Sequence, residues 1–262
     1  MGGSEHGAGA RTVDWSSIVA FRVADPGAHR SPSPPIRGPP PPATALDPRA
    51  VVPRGPGGTT RMNVTRGFTG RPRVHNPGLP PGQYDAGDDW PVLSAEVTPD
   101  LAPADWNLRI DGLVAEPRTW DWEQAHALAA SSYEGDIHCV TSWSKFGVRF
   151  GGVSLDTFLE AVGPDPAATH AVAYAHTGYT ANLPLADLTG SRAWIVWEYD
   201  GKPLPAEHGG PARLIVPHLY FWKSVKWIAG IRILDHDEPG FWEQNGYHAR
   251  GNPWEEQRYS GD

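Results

Sequence analysis

From His208 to Trp227 the chain reads His208-Gly-Gly-Pro-Ala-Arg213-Leu-Ile-Val-Pro217-His-Leu-Tyr-Phe-Trp-Lys223-Ser-Val-Lys226-Trp227. The paired glycines allow close approach of two backbones. The apolar run 213–217 reads as a short strand and separates Arg213 from a Lys-Ser-x-Lys loop. Arginine forks, ammonium groups and serine hydroxyls are the donors that a phosphate ester needs. A solvated basic loop beside a hairpin fits the same spacing equally well. The Gly-x-x-x-x-Gly-Lys pattern of a nucleotide-binding loop is absent.

Working outward, short β-like runs dominate. Residues 106–113 read as a strand ending in Asp111-Gly112, and residues 136–141 as a strand carrying Cys139. Residues 170–176, 193–199 and 227–234 are β-rich as well, and Asp200-Gly201 is a strong hairpin turn. Two helices have readable starts. Asp121 with Gln124 three residues on forms a capping box leading into residues 125–130. Ser154 caps a helix over 155–162 that Gly163-Pro164 terminates. Strands outnumber helices, which predicts an α+β fold with mixed or antiparallel sheets. No internal repeat is present.

Composition narrows the function classes. The 262 residues include 30 Gly and 28 Pro, too many for a simple helix bundle. A net charge of −8 argues against a nucleic-acid or anionic-membrane surface. No apolar run approaches the ~20 residues of a spanning helix. The single Cys excludes an intrachain disulfide and every multi-Cys metal motif. These features predict a soluble, acidic, monomeric protein of a reduced compartment, the cytoplasm. Residues 1–60 hold 11 Pro and 9 Gly without helical or strand periodicity. They predict a disordered Pro/Gly-rich extension over 1–61, followed by one domain over 62–262 that opens at Met62.

The lone thiol stands in Asp136-Ile-His-Cys-Val-Thr-Ser-Trp-Ser-Lys145. A buried structural cysteine and a functional one at the end of a strand both fit this peptide. His138 adjoins Cys139, but adjacent strand residues point to opposite faces, so the pair is poorly placed as a nucleophilic dyad. His218, His236 and His248 lack metal-ligand spacing. Trp194, Trp197 and Trp227 read as core or pocket walls.

Taken together, several segments resemble the molybdopterin-binding domain of the sulfite oxidase family, in particular its bacterial sulfite oxidase-like members. They are Ile137-His-Cys-Val-Thr141, Gly209-Gly-Pro-Ala-Arg-Leu-Ile-Val-Pro217, Lys223-Ser-Val-Lys-Trp227 and Pro239-Gly-Phe-Trp-Glu-Gln-Asn-Gly-Tyr-His248. Pro80-Pro-Gly-Gln-Tyr84 and Trp90-Pro-Val-Leu-Ser94 resemble the entry segment of that subgroup. The likeness runs from about Arg66 to Asp262 and implies the family's α+β fold with mixed sheets in a single domain.

By this resemblance Cys139 matches the cysteine whose thiolate binds molybdenum, a soft ligand suited to a metal already held by dithiolene sulfurs. His208 and Arg213 match positions on the cofactor's phosphate arm. Ser224, Val225 and Lys226 match the loop that wraps the pterin and phosphate. Lys145 lies near where the family places basic residues, elsewhere arginine, around an anionic substrate. The resemblance leads to the expectation of the single-domain type, which includes the methionine sulfoxide reductase catalytic subunit, and not of the larger enzymes with haem or immunoglobulin-like domains. The implied function is oxygen-atom transfer by a molybdenum–molybdopterin enzyme on a small substrate, with sulfur compounds as candidates. A separate electron carrier is implied too, since no cluster or haem motif is present. The alternative is a non-catalytic cofactor carrier, which would need Arg213 and Lys226 but no metal thiolate. A cysteine hydrolase is disfavoured by the phosphate-type loop.

Overall fold

Local chemistry sets the helix ends. Asp121 accepts from the backbone N–H of Gln124 at 2.8 Å, and its own N–H donates to Gln124 Oε1 at 3.1 Å. This capping box opens a helix that ends at His126, shorter than the run to 130 that the sequence predicts. Ser154 caps the second helix through the N–H of Asp156, and Gly163, at φ 60°, closes it. That helix buries Leu155, Phe158, Leu159 and Val162, the i, i+3, i+4, i+7 stripe of an amphipathic helix.

The computed structural model describes residues 78–262. The predicted extension over 1–61 and the start at Met62 lie outside the described residues. In chain order the elements are β1 (Tyr84–Asp85), β2 (Asn107–Gly112), β3 (Arg118–Asp121), α1 (Trp122–His126), β4 (Ser131–His138), β5 (Trp143–Ser154) and α2 (Leu155–Val162). Then follow β6 (His170–Ala175), β7 (Thr180–Pro184), β8 (Trp194–Tyr199), β9 (Lys202–Pro203), β10 (Arg213–Ile215), β11 (Ile228–Leu234) and α3 (Phe241–Gln244). One sheet runs β1-β5-β8-β10, with β4 also paired to β5 and β9 to β8. The other runs β3-β2-β11-β6-β7. Each is mixed: β1 is parallel to β5 and β2 to β11, while the remaining pairs are antiparallel. The α+β architecture with mixed sheets is the one the sequence predicts.

The β8–β9 hairpin turns at Asp200 and Gly201, with φ of 49° and 71°. Both residues are left-handed, as a two-residue hairpin requires. Gly152 is required for a different reason. A Cβ there would stand 2.1 Å from the Ile195 carbonyl oxygen, at the register shift where β5 crosses β8. The larger core lies between α2 and the β2-β11-β6 sheet, where Trp120 meets Phe158 edge-on at 5.0 Å. A smaller core gathers Ile137, Val148, Phe150, Trp194 and Ile215 with Cys139, Trp143 and Phe221. No helix among the described residues is long and apolar enough to cross a membrane.

Candidate cofactor site

Cys139 leaves β4 at a tight turn. Its N–H donates to the Trp143 carbonyl at 2.8 Å, and its carbonyl accepts from Ser142 N at 3.0 Å and Gln83 Nε2 at 2.9 Å. The thiol lies 3.1 Å from Thr141 Oγ1. Burial pushes the thiol pKa up, against smaller downward pulls from Thr141, Lys226 and Arg258. His138 points elsewhere, with Nδ1 2.8 Å from Ser144 Oγ and its ring beside Trp254. His138 and Cys139 therefore form no dyad.

Two loops meet Cys139 across an open cleft. Gly209 lets them meet: a Cβ there would lie 3.0 Å from Lys226 Cβ and 3.1 Å from Arg213 Cβ, and its φ is 108°. Arg213 is buried and forks between the loops, donating to the carbonyls of His208 and Ser224 at 2.6 Å each. Its guanidinium also lies 4.2 Å over the Phe221 ring. Lys226 donates to the carbonyls of Glu207 at 2.7 Å and Leu93 at 2.8 Å. Ser224 Oγ accepts from Val216 N at 2.9 Å, which fixes the loop on the end of β10.

The cleft is therefore cationic at one end. Neither Arg213 nor Lys226 has a carboxylate in ion-pair range among the described residues. Burial and the neighbouring Arg213 push Lys226 down to about 7, and burial pushes Arg213 down to about 9. Each shift reports a desolvated positive group that an anion would relieve.

Of the residues singled out in the sequence, Cys139, His208, Arg213, Ser224 and Lys226 line this one cleft. Val225 does not, because its side chain is buried in the larger core. Lys145 does not line it either. Its ammonium is buried and donates to the Gly87 carbonyl at 2.8 Å, so the strand that carries Trp143 to the cleft holds Lys145 elsewhere. Sequence reasoning missed Glu96, Tyr179 and Trp222, which also line the cleft. Glu96 accepts from Tyr179 N at 3.1 Å, and burial raises its pKa. Nothing local marks these residues, since their partners lie far away along the chain.

The oxidoreductase molybdopterin binding domain model matches residues 95–242. The chain belongs to that family. Its cofactor is molybdopterin. It is 40% identical over 187 residues to the uncharacterized oxidoreductase YuiH of Bacillus subtilis, an alignment covering 70% of this chain and 93% of that protein. It is 34% identical over 179 residues to the protein-methionine-sulfoxide reductase catalytic subunit MsrP of Gluconobacter oxydans, over 58% of this chain and 55% of that one. With mitochondrial sulfite oxidase of Drosophila melanogaster it shares 27% over 176 residues, 57% of this chain and 30% of that protein. The crystal structure of the sulfane dehydrogenase SoxCD from Paracoccus pantotrophus shares the fold, with a TM-score of 0.50 at 21% identity over 53% of this chain and 41% of that one. The chain thus spans nearly all of YuiH but about half or less of the others.

The residues present fit molybdopterin. A soft thiol stands in the same cleft as two cations without carboxylate partners, and aromatic rings supply walls for a flat ring system. Trp143 adds a buried Nε1–H that has no hydrogen-bond partner among the described residues, beside Cys139 in the lining. A buried orphan donor is costly unless something accepts from it.

Proposed function

We propose that this molybdopterin-family protein transfers an oxygen atom to or from a small, sulfur-containing substrate, with Cys139 as the protein ligand to molybdenum. The observation that carries the reading is the shared cleft: the only thiol of the chain opens into the same cavity as Arg213 and Lys226. When bound, the molybdenum cofactor supplies the two-electron redox change that oxygen-atom transfer needs. Arg213, Lys226 and Ser224 hold the phosphate arm, and His208, a neutral imidazole, adds a hydrogen-bonding edge. Arg213 keeps spare N–H donors after its two carbonyls, and Lys226 keeps one proton after its own two. Trp90 and Trp222 wall the cavity, and burial raises the pKa of Glu96 in its lining.

The sulfur-containing substrate class follows the names of the relatives, a methionine sulfoxide reductase and a sulfite oxidase. The same reading includes a separate electron carrier, since a two-electron redox change at the cofactor needs a source or sink of electrons. A cofactor carrier would need the cationic end but not the thiol, which favours the enzyme. The test is molybdenum and pterin analysis of the full chain made in a molybdopterin-competent host, followed by turnover assays with sulfite and with organic sulfoxides. Both metal and pterin are expected, with turnover of one substrate class that disappears in Cys139→Ala. Pterin-free protein, or a fully active Ala variant, would overturn the reading.

A further inference from the structure

Lys223 belongs to the basic loop whose neighbours face the cleft, yet its side chain turns away from it. It is fully buried. The ammonium donates to the Asn182 carbonyl at 2.8 Å, to Asn182 Oδ1 at 2.6 Å and to the Ala249 carbonyl at 2.6 Å, and it pairs with Glu243 Oε1 at 2.6 Å. Three N–H groups therefore serve four oxygens, and none remains for a ligand. Glu243 Oε1 also accepts from Trp222 Nε1 at 2.8 Å.

The oxygens around Lys223 come from β7, from α3 and from the segment after α3. α3 and the stretch after it also supply Trp242 and Tyr247 to the cleft lining. That stretch is tied a second time by Tyr220 N donating to the Gly251 carbonyl at 2.7 Å. Contact with the cleft wall is close, because a Cβ on Gly251 would stand 2.7 Å from the Trp222 ring.

We propose that Lys223 and Glu243 are positioning residues, a buried clasp that holds residues 241–251 against the 222–226 loop and so fixes the wall that retains the cofactor. This rests on the cofactor reading above. A buried ion pair adds little net stability, because desolvating the two charges offsets their attraction. Apolar residues of similar volume could fill the same space. They could not join Asn182, Ala249 and the Trp222 indole at one point. The pair therefore serves geometry.

The test uses the full chain from a molybdopterin-competent host as wild type, Lys223→Met, Glu243→Gln and Phe158→Leu, the last a substitution in the larger core that serves as a stability control. Two quantities are read: the rate of trypsin cleavage after Arg250, and the half-life of bound pterin, followed by the fluorescence of its oxidised form. Loss of a charge-assisted bond predicts that Lys223→Met accelerates both by about tenfold or more. Glu243→Gln, which preserves shape, accelerates both by a smaller factor and decides the matter if Lys223→Met does not fold. Phe158→Leu lowers the melting temperature without either effect. If the clasp variants release pterin no faster than Phe158→Leu, the pair is a stability element only and the proposal is wrong. If wild type carries no pterin, the cofactor reading is what fails. Cleavage after Arg250 then judges the clasp alone, unchanged cleavage overturning it and faster cleavage supporting it.

Discussion

The indole of Trp90 lies flat on the imidazole of His208, with ring centroids 3.7 Å apart and planes 10° from parallel. That stacking helps to bury His208, and Arg213 and Lys226 stand close by. Burial, then the two cations, push His208 down to about 3. His138, buried beneath Trp254, is pushed down to about 4 by burial alone, against a weaker upward pull from Asp136.

Both imidazoles are therefore neutral when folded and take up protons on unfolding once the pH falls below their ordinary value of 6.5. Stability of the cofactor-free protein should be greatest above that value and fall steadily from pH 6.5 toward 4.5. Across that window the extra protons that unfolding binds at these rings rise from about one toward two per chain. Calorimetric melting temperatures over this range check the sign. His208→Gln should have a shallower slope, and a slope equal to wild type would show that His208 is not held neutral.

Arg213 brackets two loops as well as carrying charge. Arg213→Ala removes two charge-assisted bonds to carbonyls, each worth roughly 1.5–3 kcal/mol. The variant should lose at least ~2 kcal/mol in denaturant unfolding and purify poor in pterin. Arg213→Lys should recover part of the occupancy, because a single ammonium cannot span both acceptors in the fork geometry. Full pterin content in Arg213→Ala would count decisively against the assignment.

The Cys139 thiol, raised by burial, should alkylate slowly while no metal is bound. At neutral pH iodoacetamide should modify the folded cofactor-free chain at least about tenfold more slowly than the urea-unfolded chain, since only the thiolate reacts. Mass spectrometry of timed samples measures the ratio. Equal rates would mean that the thiol is more open and more acidic than its surroundings allow.

Lys145 offers a contrast. Its ammonium is committed to the Gly87 carbonyl, away from the cleft lining. Lys145→Met should leave KM and kcat within about twofold of wild type while costing roughly 1.5–3 kcal/mol of stability. A large rise in KM for an anionic substrate, with kcat little changed, would return Lys145 to the binding site.

Caps and turns were legible because their chemistry is local. Ser154 and Gly163 bound α2 where the sequence places them, and Asp200-Gly201 turns the hairpin. Extended structure was harder to read. The strand expected over 136–141 begins earlier, at Ser131, and stops at His138, which leaves Cys139 in the turn. The twelve-residue β5 escaped notice because Gly147, Gly151 and Gly152 break its alternation. The reason for Gly152 lies in Ile195 on another strand. The site divides in the same way. Motif residues Cys139, His208, Arg213, Ser224 and Lys226 could be named in advance, but Leu93 lies 133 residues from its partner Lys226, and only the fold reveals that bond. Lys223 had the right charge and the opposite direction.

Five of the twelve tryptophans, Trp90, Trp143, Trp222, Trp227 and Trp242, line one cleft. The protein therefore carries an optical gauge inside its own cavity. A seated group that absorbs near-ultraviolet light lies within energy-transfer reach of five emitters at once. Filling and emptying of the cleft should be written directly into the intrinsic emission of the unlabelled chain, and loading could be followed second by second.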